Sequence, residues 1–179
     1  MTSKILLVDD EAGIRKVLGI SLADMGYEVL TAENGEEALK LFREHNPAIV
    51  LTDIKMPGMD GIEVLRKIKK ENPETEVIVI TGHGDMDLAI KSLKFDATDF
   101  ITKPVDDREL ENALRKCGER ILVREKLRDY THHLEALVQQ KTERLAAASG
   151  DEDEAEMTRR YQSLFDAMPG YVAVLDQEH

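Results

Sequence analysis

Over roughly the first 105 residues, short runs of Val, Ile and Leu alternate with stretches whose apolar residues recur every three or four positions. This is the rhythm of a buried strand followed by an amphipathic helix. The pattern predicts strands at Ile5–Val8, Glu28–Thr31, Ala48–Thr52, Val77–Ile80 and Asp99–Thr102. Helices are predicted near Ala12–Met25, Gly35–Glu44, Gly61–Lys70 and Met86–Leu93, with Gly26, Asn34 and Pro73 as breaks. The longest strands carry almost no polar interruptions, which suits parallel strands covered on both faces. Right-handed crossovers then give an α/β fold with an open, doubly wound sheet.

From Asp107 the chain reads as one long helix with no proline until after Ser149. Unbroken to Ala148, it would extend roughly 60 Å at 1.5 Å per residue. Leu110, Leu114, Cys117 and Ile121 form one apolar stripe. Val123, Leu127, Tyr130, Leu134 and Leu137 form a second, out of register with the first and spaced as a heptad seam. The first stripe is expected to pack on the helix's own domain and the second on a partner helix, making a homodimeric coiled coil. Lys141 would fall in that seam, weakening the pair while setting its register. Five acidic residues follow, Asp151, Glu152, Asp153, Glu154 and Glu156, as a solvated joint. Ser149 or Asp151 would cap a second helix holding Tyr161, Leu164, Phe165 and Met168, ended by Pro169-Gly170 and followed by a strand from Tyr171 to Leu175. The expected organisation is a domain at 1–118, a coiled coil at 119–148, a joint at 149–157 and, at 158–179, the opening of a further domain in a longer protein.

Charge and composition narrow the function. With 36 acidic against 24 basic residues the net charge is -12, opposite to the footprint of a nucleic-acid binder. Apolar runs of about four or five residues are too short to span or anchor in a bilayer. The amino terminus lacks a secretion signal and the single cysteine forms no internal disulfide, so a reducing cytoplasm is the expected compartment.

In such sheets ligands bind beyond the carboxyl ends of the strands. Here the first strand ends in Asp9-Asp10, the third in Asp53, the fourth in Thr81 and the fifth in Lys103. If the first and third strands are neighbours, three carboxylates converge beside one lysine. Like charges so close raise at least one pKa unless a cation binds, and oxygen-only ligands in a small open site favour magnesium. Taken singly, Asp10 could cap the following helix, Asp53 could serve a turn, Thr81 could satisfy its own turn and Lys103 could be solvated. Turn chemistry does not require this distribution of types over successive strand ends, so the set points to metal-assisted phosphoryl transfer.

Val8-Asp9-Asp10-Glu11, the stretch from Thr52 to Gly61, Thr81-Gly82-His83-Gly84 and Phe100-Ile101-Thr102-Lys103-Pro104 together resemble the response-regulator receiver domain of two-component phosphorelays. The resemblance covers about residues 1–118 and implies a flavodoxin-like sheet of order 2-1-3-4-5. It implies that Asp53 accepts a phosphoryl group from the phosphohistidine of a sensor histidine kinase or phosphotransfer protein. Asp9, Asp10, Asp53 and the main-chain carbonyl of Lys55 would hold magnesium. Lys103 would pair with the phosphoryl oxygens, Thr81 would hydrogen-bond one of them and Phe100 would be the aromatic switch. A cis peptide before Pro104 is also implied. The chain would then be no enzyme beyond its own phosphorylation and dephosphorylation. Physical chemistry agrees: in-line transfer needs a nucleophile, a cation and fixed donors around the equatorial oxygens. Gly82 leaves the approach open, and Phe100, lacking a hydroxyl, can switch only by packing.

Leu134–Leu145 resembles the parallel signalling helices of dimeric kinases, and Tyr161–Asp176 resembles the opening of a PAS sensor domain. His132-His133 lack the acidic neighbour and later proline of a kinase phosphohistidine and read as solvated heptad positions. His83 reads as a loop residue. Two alternatives are a haloacid-dehalogenase-type phosphatase, whose nucleophile would be Asp9, and a degenerate receiver serving only as a dimeriser. Glu11 stands where the first needs a second aspartate, and no missing site residue supports the other.

Overall fold

The apolar runs become five parallel strands in a computed structural model that describes residues 4–82, 84–148, 158–160 and 163. Their order is β1 (Lys4–Val8), β2 (Glu28–Ala32), β3 (Ile49–Asp53), β4 (Glu76–Thr81) and β5 (Asp99–Thr102) along the chain, and β2-β1-β3-β4-β5 across the sheet. Between them run α1 (Ala12–Asp24), α2 (Gly35–His45), α3 (Gly61–Glu71) and α4 (Met86–Lys94), and α5 (Asp107–Ala148) follows β5.

Alternate side chains of each strand enter opposite layers. Leu6, Val8, Val50, Val77 and Val79 meet Leu39 and Phe42 of α2 and Leu65 and Ile68 of α3. Ile5, Leu7, Ile49, Leu51, Ile78 and Ile80 meet Leu18 and Leu22 of α1 and Leu110, Leu114 and Cys117 of α5. Every strand of the centre is thus covered twice, which explains why its sequence is apolar without alternation.

Several element ends differ by one residue from those the sequence predicts, and two local details bear on where charges lie. Asp10 does not cap α1; Glu11 occupies that position, with no side-chain capping bond. Strand β4 begins one residue early, at the fully buried Glu76. A charged residue enters the sheet there because Arg120 and Arg124 of α5 and the Thr98 hydroxyl all engage its carboxylate.

The chain divides into two compact units, Met1–Arg124 and Glu125–His179, with the residues of α5 contributing to both. In the first, Leu110, Leu114 and Cys117 are buried as expected and Ile121 is partly so. The second stripe is exposed: Val123, Leu127, Tyr130, Leu134 and Leu137 retain between 40% and 70% of their accessible surface. His132 is exposed and pairs with Glu135 at 3.4 Å. Residues 158–160 and 163 are helical, whereas the acidic joint, His83 and the expected strand at Tyr171–Leu175 lie outside the described residues. No helix among the described residues is long and apolar enough to cross a membrane.

Candidate phosphoryl-acceptor site

The register of the sheet builds the site. Val8 lies beside Thr52 in the β1–β3 pair, so the residues that follow each, Asp9 just past the end of β1 and Asp53 at the last position of β3, stand side by side at the carboxyl edge of the sheet. Thr81 ends β4 opposite Thr102 of β5, and Lys103 follows at once. Carboxylate oxygens of Asp9, Asp10 and Asp53 all lie within 4.8 Å of one another. Asp9 and Asp53 are buried, while Asp10 is exposed at the rim.

Lys103 Nζ donates to Asp53 Oδ2 at 2.7 Å and to Glu11 Oε1 at 3.3 Å. It also lies 2.9 Å from Asp9 Oδ2 as an ion pair. One ammonium therefore serves three carboxylates. Asp9 Oδ2 is buried against that ammonium, whereas Asp9 Oδ1 accepts the Glu11 N–H at 2.8 Å. Burial pushes the Asp53 carboxyl above the usual carboxylate range; hydrogen bonding to Lys103 opposes this, and the nearby Asp9 reinforces it. Burial works against the Lys103 ammonium, yet its partners Asp53 and Asp9 hold it above the ordinary lysine range.

Around this centre the backbone N–H of Lys55 points to Asp53 Oδ1 at 3.4 Å, and the Lys55 side chain reaches away to Asp85. Thr81 is buried, its hydroxyl donating to the Gly82 carbonyl at 3.4 Å. Phe100 is half-buried and packs against the core layer shared by α2 and α3. The Lys103–Pro104 peptide is cis. A Cβ at Gly82 would meet nothing closer than Asp85 Oδ2 at 3.6 Å, so the side of Thr81 is open.

Residues 5–115 match the family model described as the response regulator receiver domain. The chain belongs to that family. The receiver domain is 44% identical over 112 residues to the "Probable transcriptional regulator ycf27" of Porphyra purpurea, covering 63% of this chain and 46% of that protein. It is 39% identical over 116 residues to sporulation initiation phosphotransferase F of Bacillus subtilis, covering 65% of this chain and 94% of that protein. Among solved structures, a response regulator receiver domain protein from Clostridium thermocellum superposes with a TM-score of 0.64 at 39% identity, covering 70% of this chain and 98% of that one. NtrX from Brucella abortus gives 0.69 at 34% identity, covering 73% and 30%. The chain thus spans less than half the length of the ycf27 relative.

The receiver fold also uses residues to which the sequence assigned no part in the site. A Cβ at Gly61 would lie 2.0 Å from the Asp53 carbonyl oxygen, so only glycine lets α3 start directly behind the acceptor strand. The Asp60 carboxylate caps that helix by accepting the Glu63 N–H at 2.7 Å, which fixes the loop between them. Asp-Gly before an amphipathic run was the available signal. Arg15 of α1 donates to the Asp9 carbonyl at 2.5 Å and holds the other wall. Nothing in the spacing of Arg15 announced that contact.

Proposed function

We propose that Asp53 is the phosphoryl acceptor of a two-component phosphorelay, taking the group from a phosphohistidine on a sensor kinase or phosphotransfer protein. The observation that carries this reading is the convergence of Asp9, Asp10 and Asp53 within 4.8 Å, with Lys103 bonded to Asp53 at 2.7 Å. An all-oxygen donor set with the anionic Asp9 Oδ2 buried in it, faced by the Lys103 ammonium at 2.9 Å, is the kind a hard cation takes. Asp9, Asp10, Asp53 and the main-chain carbonyl of Lys55 would hold magnesium. When bound, that ion supplies neutralisation of the anionic phosphoryl oxygens.

A carboxylate oxygen of Asp53 attacks phosphorus as the bond to the histidine nitrogen breaks, leaving an acyl phosphate on Asp53 and a free imidazole on the donor. Lys103 exchanges its bond to Asp53 for one to a phosphoryl oxygen. The Thr81 hydroxyl turns from the Gly82 carbonyl to another oxygen, and Phe100 repacks into the space left. Hydrolysis of the acyl phosphate returns the carboxylate.

The exposed seam Val123, Leu127, Tyr130, Leu134 and Leu137 supports dimerisation through α5, the route by which the change would reach a PAS-like or other output module. In full-length chain, Leu134→Glu with Leu137→Glu should convert a sedimenting dimer to a monomer. Mass spectrometry after treatment with acetyl phosphate and magnesium should place one phosphoryl group on Asp53 and none on Asp53→Asn. Labelling in excess EDTA, or on Asp9 as a dehalogenase-type phosphatase would show, overturns the proposal.

A further inference from the structure

Asp85 stands at the N-cap of α4 yet its side chain caps nothing. The comparable residues of α2 and α3 do cap: Asn34 accepts the Glu37 N–H at 2.9 Å and Asp60 accepts the Glu63 N–H at 2.7 Å. In α4 the equivalent donor, Leu88 N–H, is bonded to the main-chain carbonyl of Asp85 at 2.9 Å. The Asp85 carboxylate is turned instead to Lys55, with Oδ1 2.9 Å from Nζ. Its other oxygen faces Gly82, the residue after Thr81. This ion pair therefore joins the loop after β3 to the loop after β4.

Two features make the pair exchangeable. Lys103 already serves Asp9, Glu11 and Asp53, and Lys55, two positions after Asp53 with its backbone N–H toward Asp53 Oδ1, carries a second ammonium in the adjoining loop. Helix α4 is weakly anchored: Ala89 and Ser92 are its fully buried residues among those described, while Ile90 and Leu93 stay 49% and 42% exposed. A helix with so little burial depends strongly on its caps. Phosphorylation adds up to two negative charges on Asp53, two residues before Lys55, which would attract the Lys55 ammonium and repel the Asp85 carboxylate.

We propose that Lys55 and Asp85 form an exchange latch: a phosphoryl group on Asp53 draws Lys55 away, and the released Asp85 carboxylate caps α4. The inference rests on Asp53 being the acceptor. It assigns to Lys55 and Asp85 a positioning role, coupling the site to the first turn of α4 through a change of partner and a turn of the Asp85 backbone from ψ 23° toward the extended values of 169° and 164° held by Asn34 and Asp60.

Amide hydrogen exchange of the full chain at Met86 to Leu88, with and without acetyl phosphate and magnesium, tests it. Intact mass records phosphorylation separately. The phosphorylated protein should exchange about fivefold more slowly there, the size of an ordinary N-cap contribution. Lys55→Gln should show the same slowing without phosphate, because Asp85 is already released. Asp85→Ala should accept phosphate with no change in α4. A phosphorylated wild type with unchanged exchange, or a gain that persists in Asp85→Ala, overturns the latch. Should intact mass show no phosphoryl group, the acceptor assignment fails, and the Lys55→Gln comparison alone then decides whether Asp85 is held off its cap.

Discussion

Asp53 and Glu76 are buried carboxylates at opposite ends of neighbouring strands, and their surroundings are inverted. Glu76, fully buried at the start of β4, is engaged by the guanidinium groups of Arg120 and Arg124 and by the Thr98 hydroxyl. Asp53, 5% exposed at the end of β3, shares one lysine with Asp9 and Glu11. Cations exceed carboxylates at one end, and carboxylates exceed cations at the other. A carboxylate with surplus partners is a structural fixture, because any loss of a partner leaves a desolvated charge. One with a deficit is poised to take a cation and its anionic substrate.

The largest effect should come from breaking the saturated end. Arg124→Ala leaves Glu76 to Arg120, and urea unfolding should show a loss of about 2–3 kcal/mol, below the roughly 3–5 kcal/mol of a buried pair broken outright. Asp53→Asn should instead leave stability within about 0.5 kcal/mol or raise it, since a like charge is removed from beside Asp9. Equal losses from the two substitutions would erase the distinction. Cys117 gives a second reading of the same experiment. Burial pushes its thiol up to about 12, so alkylation near neutral pH should proceed only through opening. Arg124→Ala should speed it and Asp53→Asn should not.

Magnesium sharpens the contrast from the other end. At tenfold over its dissociation constant it should stabilise the fold by about 1.4 kcal/mol. Thermal unfolding should show that Asp9→Asn loses this gain and Arg124→Ala keeps it. Loss in both would mean that the two ends are not independent.

Arg43 and Glu71, paired at 2.6 Å on the surface, provide the same chemistry in water and should give the smallest response. Hydrogen bonding to Arg43 holds the Glu71 carboxyl below its ordinary range. Its contribution is therefore present above the unfolded pKa and is lost as pH falls through the lowered folded value. Thermal unfolding of Glu71→Gln should differ slightly from wild type at neutral pH and converge with it in acid. A neutral-pH loss matching that of Arg124→Ala would show that burial is not what separates the two pairs.

Asp9, Asp53, Thr81 and Lys103 were legible because each follows or closes an apolar run, and parallel topology sends all such ends to one edge. Glu76 was not, since a charged residue ahead of Val77 looks like the end of a loop. Its partner Arg124 lies 48 positions away, beyond any local pattern. For Asp10 the alternative of a helix cap, which its local chemistry also suits, is closed by the turn, which places Glu11 there and leaves Asp10 with the carboxylate cluster.

The sequence by itself determined the five βα units, the doubly wound sheet, the strand ends that carry chemistry and the two stripes of α5, because these follow from periodicity and chain direction. Only the tertiary structure decided which charges meet. It put three carboxylates on Lys103 and two arginines on Glu76, turned Asp85 from its helix to Lys55, and required glycine at position 61, where a Cβ would lie 2.0 Å from the Asp53 carbonyl oxygen. Such pairings depend on strand register and helix docking, which bring together residues far apart in the chain, and burial then sets how strongly each pair interacts.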